Sequence, residues 1–479
     1  MQKLKRELSF FDLTNIVIGS IVGADIYIAS ALTAGMIGPF SIFVWLIAGI
    51  LATILALIFA YCSYYVPMVG GPFAFVSEAF DDFYGFLTGW SMWIAEVLCL
   101  SVFAITFVNY LQPLLGNLFS IELNFFQQVF VKALFIFTLT LINIRGVKIA
   151  GRVNDFLTLI KLLPLFLLVF FGLAFLAENP KKFFSNYSPL LPFGFENFGN
   201  ALILVFWAYV GFEMGTLPAS EVKNPKRTIP KAIILGMLIV TIFYLSTNFV
   251  VFGVVNYSEL AKTSVPLVLV GSVLLGAIGG IMMSIGALFS VSGSDEAGVL
   301  SISRISYAMA IDGLFPKIFS KVHKKYKTPY AALIIQGLIA FLFSIFSEVS
   351  GLISFSVFNL AFSFLFVCLA LIVLKKRKKK GLYGQDILPW IGITICLYLL
   401  YKTSIFDKLI GTSLILLGIP LYVLFSPKVD MHDLKKLFVS EGEILARRLE
   451  RKERFLANFM EFLYEIYKKI RACSKKFCK

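Results

Sequence analysis

The sequence predicts an all-helical membrane protein that crosses the bilayer many times. Hydrophobic residues fill 59% of its 479 positions and charged residues only 15%, a balance that water-soluble domains do not show. The apolar residues form runs of about 20, the length that a helix needs to cross a hydrocarbon core roughly 30 Å thick. Because these runs are long and lack a period of two, a transmembrane β-barrel is excluded.

Twelve apolar runs are present, and each is predicted to form one transmembrane helix. They cover approximately residues 11–35, 39–65, 83–113, 128–145, 153–177, 196–220, 229–254, 270–303, 329–347, 351–374, 387–402 and 408–426. With both termini in the cytoplasm of a cell-membrane protein, 36 of the 43 Lys and Arg residues fall in inward-facing segments. This bias and contact with anionic lipids explain the net charge of +15, so no nucleic-acid partner is expected.

Two of the predicted helices are interrupted near the middle of the membrane. In the first, GSIVGAD at 19–25 contains two glycines, and each costs on the order of 1 kcal/mol inside a helix. In the sixth, FWAYVGFEMG at 206–215 again combines glycine with a carboxylate. Small residues also permit close helix packing. However, interruptions in corresponding helices favour local unwinding, which exposes backbone groups to a substrate or ion.

Seven ionisable residues are predicted to lie within membrane spans or at their edges. They are Asp25, Glu96, Lys132, Lys161, Glu213, Asp295 and Glu296. Each ion costs roughly 2.5–3.5 kcal/mol at the bilayer centre, which favours a polar interior pathway over exposure to lipid. The acidic excess favours a bound cation, a proton or an ammonium group. A structural ion pair or an interfacial position is the alternative for Glu96 and Lys132, and Lys161 has the alternative of extending to an interface.

Several motifs occur in an order that is typical of one transporter family. They are GSIVGADIY at 19–27, PMVGGPFAF at 67–75, GFLTGW at 85–90, FWAYVGFE at 206–213, EVKNPKRTIPKAI at 221–233, SRISYAMAIDGLFP at 303–316 and TPYAAL at 328–333. Together they resemble the amino acid, polyamine and organocation transporter superfamily over roughly residues 8–375. The resemblance implies a LeuT-like ten-helix core at 1–375, built from inverted repeats at about 8–177 and 196–375. Two additional helices at 376–426 and a cytoplasmic tail at 427–479 would follow.

The resemblance also implies a function and a set of site residues. The function is secondary active transport of amino acids by alternating access, and the alternative is transport of polyamines or other organic cations. The substrate cradle would contain Gly19, Ser20, Gly23, Ala24 and Asp25 from the first helix and Phe206, Ala208, Tyr209 and Gly211 from the sixth. Lys161 matches a fifth-helix lysine that occupies the sodium position in some proton-coupled members. Asp25, Asp295 and Glu296 are further candidates for proton coupling, and Glu96 and Glu213 are possible ones.

Asp25 departs from the family pattern. The family usually has a small residue there, whose backbone N–H helps to receive the substrate carboxylate, and an anionic side chain should repel that group. Three explanations are open: Asp25 is protonated, it pairs with Lys161 or another cation, or the substrate lacks a free carboxylate.

The sequence carries little that indicates a function other than transport, and its tail has a pattern of its own. No metal-ligand cluster, phosphate loop or nucleophile motif with supporting context is present, so neither a cofactor nor a catalytic residue is expected. A non-transporting sensor or channel, and an intramembrane enzyme using Asp295 and Glu296, are the remote alternatives. Residues 431–470 show apolar positions at helical spacing among many basic ones, which predicts an amphipathic helix on the inner membrane surface.

Overall fold

The computed structural model describes residues 8–68, 70–217, 219, 222–378 and 386–426. Within these ranges all regular structure is helical, apart from one isolated backbone bridge between Leu8 and Val222. The same ranges contain nine helical spans that are long and apolar enough to cross a membrane, and two shorter apolar helices. The prediction of an all-helical protein with many apolar spans is therefore confirmed. The predicted tail helix at 431–470 lies outside the described residues.

The first part of the chain forms nine α-helices. They are α1 (Phe10–Ile21), α2 (Asp25–Ile37), α3 (Ser41–Tyr65), α4 (Pro72–Ala79), α5 (Asp82–Phe119), α6 (Phe125–Ile144), α7 (Val147–Glu178), α8 (Pro180–Ser185) and α9 (Phe198–Ala208). Local sequence sets several of their starts. Ser9 caps α1 in a reciprocal pair of hydrogen bonds with Asp12, and Asn124 caps α6 in the same way with Gln127.

A 3-10 helix, Phe212–Thr216, separates α9 from the second part of the chain. The remaining helices are α10 (Pro225–Val254), α11 (Tyr257–Leu260), α12 (Pro266–Ile311), α13 (Tyr330–Phe346), α14 (Val349–Lys378), α15 (Leu388–Lys402), α16 (Ile405–Leu416) and α17 (Gly418–Phe425). Proline occupies the first turn of α10, α12 and α15, where its missing N–H leaves no helical hydrogen bond unmade.

Both interruptions that the sequence predicts are present. The first apolar run is broken between Ile21, where α1 ends, and Asp25, where α2 begins. The sixth is broken after Ala208, and Gly211 adopts a φ of +121°, which side chains rarely allow. A Cβ atom on Gly211 would also lie 2.8 Å from the carbonyl of Ser20. The two breaks can therefore touch only because this position is glycine.

The packing of helices brings the two breaks to the centre of the molecule. Helix α1 packs against the 3-10 helix, and α2 packs against α9, so the two broken segments run side by side. Helices α3 and α10 also pack together, and α5 and α7 both pack against α12. In contrast, α6 and α7 expose large apolar side chains such as Phe126 and Leu159, as surfaces that face lipid do.

Candidate functional site

A small cavity of about 30 Å³ lies beside the two helix breaks. Ser20, Ile21 and Asp25 line it from the first break. The cavity therefore lies beside the end of α1 and the start of α2, where some backbone N–H and C=O groups make no helical hydrogen bond.

Helix α5 forms the second wall of the cavity. It contributes Glu96, Cys99 and Phe103, which are spaced three and four residues apart and so share one face of the helix. Glu96 is only 5% exposed. The α5 wall thus places one carboxyl group next to the thiol of Cys99, with the ring of Phe103 one turn further along the helix.

The remaining walls come from the sixth segment and α12. Trp207, Val210, Gly211 and Met214 line the cavity from the sixth segment. Ser294 and Gly298 line it from α12. These walls are mostly apolar, apart from the Ser294 hydroxyl.

Asp25 folds back onto the first break. The backbone N–H of Gly23 donates to Asp25 Oδ1 at 2.7 Å, and the Tyr244 hydroxyl donates to Asp25 Oδ2 at 2.5 Å. The same hydroxyl oxygen lies 3.0 Å from the carbonyl oxygen of Ile21. Asp25 is 3% exposed. Its two oxygens are therefore held by neutral donors, one from the break itself and one from α10.

The carbonyl groups around the first break are capped by neighbouring helices. Lys161 of α7 is fully buried, and its Nζ donates to the carbonyl oxygen of Gly19 at 2.6 Å. The Ser294 hydroxyl donates to the carbonyl oxygen of Ser20 at 3.0 Å, and the Ser290 hydroxyl donates to that of Gly23 at 3.2 Å. The break is thus stabilised by one ammonium and two hydroxyl groups.

The second break repeats the arrangement of the first. The backbone N–H of Gly211 donates to Glu213 Oε2 at 3.0 Å, so here too a carboxylate two residues downstream holds the glycine N–H. The carboxyl groups of Glu213 and Glu96 lie close enough to be hydrogen-bonded to each other. Because a carboxylate only accepts, such a bond requires a proton on one of the two groups.

The structure brings three of the predicted coupling residues together. Lys161 lies close enough to Asp25 and Glu296 to interact with both electrostatically. Asp295 is 1% exposed and is close to Glu296, but it does not line the cavity. Lys132 is half-buried and donates to the carbonyl oxygen of Ser344 at 2.7 Å, and it does not line the cavity.

The predicted sixth-segment cradle is only partly at the cavity. Gly211 lines it, whereas Phe206, Ala208 and Tyr209 are buried without lining it. The Tyr209 hydroxyl donates instead to the carbonyl oxygen of Trp45 at 3.1 Å. On the first-segment side, Gly19, Gly23 and Ala24 contribute to the break but not to the cavity wall. Their binding roles stay predictions.

Several residues at the site could not be identified from the sequence. Trp207 and Met214 line the cavity, and Tyr244 holds Asp25. Nothing distinguishes these side chains from other large residues in their apolar runs. Cys99 and Phe103 do carry a signal, because they follow Glu96 at helical spacing. Among the described residues, no cluster of three or more His, Cys, Asp or Glu side chains is arranged to hold a metal ion.

Comparison with known proteins identifies the family. The sequence profile of the amino acid permeases matches residues 8–434. The chain is 27% identical to the branched-chain amino acid permease BcaP of Bacillus subtilis (strain 168), with 89% of this chain and 94% of the relative aligned. It is 28% identical to the methylthioribose transporter of the same organism, over 89% and 95% of the two chains.

A third relative is the serine/threonine exchanger SteT of Bacillus subtilis (strain 168). It is 28% identical, and the alignment covers 88% of this chain and 96% of the relative. All three relatives are transporters, not enzymes, and each is aligned over nearly its whole length. From the profile match, these relatives and the many apolar helices, we conclude that the chain is a multi-pass membrane protein that belongs to the amino acid permease family, within the amino acid, polyamine and organocation superfamily.

Proposed function

We propose that this protein is a secondary active transporter that moves an amino acid or a related amine across the cell membrane by alternating access, coupled to protons. The observation that carries the proposal is the contact of two broken helices beside a small cavity lined by Asp25 and Glu96. Discontinuous helices that meet near the middle of a membrane are a common way to build a transport site. The relatives named for branched-chain amino acids and for serine and threonine support the substrate class.

The proposed architecture has twelve crossings in two inverted repeats and an added pair. The span Phe10–Tyr65 holds two crossings, and the other eight long spans and the two shorter apolar helices bring the total to twelve. The packing of the two broken helices supports the inversion. The first half of the first helix, α1, packs on the second half of the sixth, the 3-10 helix, and the second half of the first helix, α2, packs on the first half of the sixth, α9. The core would occupy 1–375, with repeats at about 8–177 and 196–375, followed by two helices at 376–426 and the tail at 427–479.

Alternating access is supported by the size of the cavity. A volume of about 30 Å³ accommodates roughly two water molecules and no amino acid, so the walls must separate to admit a solute. On the side where α1 begins, the backbone N–H of Lys223 donates to the carbonyl oxygen of Leu8 at 2.9 Å and joins the chain before α1 to the chain before α10. Both termini would face the cytoplasm, so this side would be the inner one.

Proton coupling is proposed to act through Lys161. Its charged ammonium holds the Gly19 carbonyl at the break, and such charge-assisted bonds are roughly twice as strong as neutral ones. Loss of the proton would weaken this bond and free α1 to move. Asp25, Asp295 and Glu296 would adjust the charge around Lys161, and Glu96 with Glu213 would carry a further proton.

The proposal is tested with Lys161→Ala in proteoliposomes under an imposed pH gradient. We expect the wild type to accumulate labelled solute and Lys161→Ala to lose that accumulation by roughly tenfold or more, because a buried charge-assisted bond disappears. Exchange of labelled for unlabelled solute without a gradient should persist in the variant. Lys132→Ala, which removes a partly buried lysine that does not line the cavity, is the matched control and should behave as the wild type.

Two results would contradict the proposal. Undiminished pH-driven accumulation by Lys161→Ala would remove Lys161 from the coupling mechanism. Exchange by the wild type that never becomes uphill accumulation under a pH gradient would exclude proton coupling.

A further inference from the structure

The charged groups at the cavity are acidic. Asp25 and Glu96 line it, and Glu213 lies against Glu96. No basic side chain is among the residues that line this cavity in the described part of the chain. The buried ammonium of Lys161 is bonded to the Gly19 carbonyl and interacts electrostatically with Asp25, but it does not line the cavity. The electrostatic character of the site therefore favours a cationic group on the ligand.

At each break, one backbone N–H that could attract an anion is already occupied by a carboxylate of the chain. Free N–H groups at a helix break or helix start bind carboxylates, because they carry partial positive charge. Here Asp25 occupies the Gly23 N–H at 2.7 Å, and Glu213 occupies the Gly211 N–H at 3.0 Å. A substrate carboxylate would have to displace one of these internal carboxylates and then remain beside it. The chain thus supplies its own anions at both breaks.

The cavity retains acceptor capacity for a cation. Glu96 Oε1 is fully buried and accepts from no amide, hydroxyl or amine of the described residues; its neighbour is the carboxyl group of Glu213, and one proton shared by the two groups leaves the pair with one negative charge. Its neighbour Glu213 has one oxygen, Oε1, in the same condition. The indole of Trp207 lines the same space, and aromatic faces attract ammonium groups. Ile21 and Met214 add apolar surface suited to an alkyl chain.

We propose that the substrate is an aliphatic amine without a free carboxylate, whose ammonium group binds between Asp25 and Glu96. This inference rests on the proposed transport function and narrows its substrate class. It also selects one explanation for Asp25, namely that this carboxylate replaces the one that the substrate lacks.

The test compares putrescine with ornithine, which carries the same two amino groups and differs by the added carboxylate. Binding of each labelled compound to the detergent-purified full chain is measured alongside uptake into proteoliposomes. We expect putrescine to bind at least about tenfold more tightly than ornithine, since ornithine brings an anion next to Asp25. Uptake should show the same preference.

Two substitutions at Asp25 sharpen the test. Asp25→Asn keeps an oxygen for the Gly23 N–H but removes the charge, so putrescine binding should weaken at least about tenfold. Asp25→Gly removes the charge and frees the Gly23 N–H, so the preference should shift towards ornithine. Asp312→Asn, at the exposed end of α12 and outside the cavity, is the matched control and should leave binding unchanged.

Each outcome separates the inference from the proposed function. Ornithine bound and transported as well as putrescine, or unchanged putrescine binding by Asp25→Asn, would overturn the inference and leave transport standing. Putrescine bound tightly but never transported would support the inference and contradict the transport function. Binding of neither compound would overturn the inference, and the pH-gradient experiment with amino acids would still decide on transport.

Discussion

Glu213 stabilises the second helix break by accepting a hydrogen bond from the main chain. Its Oε2 accepts from the N–H of Gly211, and the carboxyl group is fully buried. The φ of +121° at Gly211 prevents the main chain from completing a helical turn there. Without an acceptor the buried N–H would have no partner, and an unmet buried donor costs about 1–3 kcal/mol. The side chain therefore has a structural role beside any role in binding.

We predict that Glu213→Ala destabilises the protein by about 1–3 kcal/mol, whereas Glu213→Gln costs clearly less. The glutamine keeps an oxygen that can accept from Gly211 and an amide that can donate to Glu96. Thermal unfolding of the purified variants, followed by intrinsic tryptophan fluorescence, measures the difference. Equal unfolding temperatures for the two variants would mean that the backbone contact contributes little.

Single residues differ in how well sequence alone identifies them. Asp25, Glu96 and Lys161 stand out because a charge inside an apolar run is costly and requires an explanation. Tyr244 and Trp207 do not stand out, because their roles depend on which distant segments pack against them. The hydroxyl of Tyr244 reaches Asp25 across 219 positions of sequence. No local pattern contains that information.

At the scale of elements, a short pairing joins the chain before α1 to the chain before α10. Leu8 and Val222 form a parallel backbone bridge, and the N–H of Lys223 donates to the carbonyl oxygen of Leu8 at 2.9 Å. This pairing lies at the ends of both broken segments. In the proposed cycle it has to separate whenever the cavity opens on that side.

We predict that a disulfide between Leu8→Cys and Val222→Cys stops transport. Backbone bridging brings the two positions within the range that a disulfide spans. Oxidation should lower uptake by more than about tenfold, and dithiothreitol should restore it, because a covalent link prevents the segments from parting. Each single variant serves as a control, in a background with Cys473→Ser and Cys478→Ser. Full uptake by the oxidised double variant would mean that this pairing does not move.

The sequence predicted two of the interruptions within helices but not a third. The interruptions expected within 19–25 and 206–215 are found, because glycine beside a carboxylate is unfavourable in a continuous apolar helix. The kink at Leu275 and Gly276, where Gly276 has a φ of +62°, was not predicted. Gly276 lies among other glycines and small residues that are helical, so the sequence does not distinguish the one glycine of this segment that adopts a positive φ.

At the scale of the whole molecule, the chain separates a polar centre from an apolar exterior. The ionisable residues Asp25, Glu96, Lys161 and Glu213 are buried, whereas α6 and α7 expose aromatic and aliphatic side chains. This distribution is inverted relative to soluble proteins and fits a lipid solvent. The family and the all-helical class could be predicted from composition and motifs. The cavity could not, since three distant segments and α12 form it.

We predict that the segments carrying Lys182 and Lys262 lie outside the cell and that Lys226 lies inside. Single cysteines at these exposed positions, in a background without Cys473 and Cys478, should report this topology. A membrane-impermeant maleimide should label 182 and 262 in intact cells, and 226 only after permeabilisation. The four described native cysteines are buried, which limits background labelling. Labelling of 226 in intact cells would reverse the orientation.

The contact between Gly211 and Ser20 has a mechanical consequence. No side chain separates the two main chains, since a Cβ on Gly211 would meet the Ser20 carbonyl at 2.8 Å. The two broken segments therefore cannot slide past each other at this point without losing close packing. Any tilt of one segment against the other has to pivot about this contact. When the space between the two segments widens on one side of the contact, it therefore narrows on the other side.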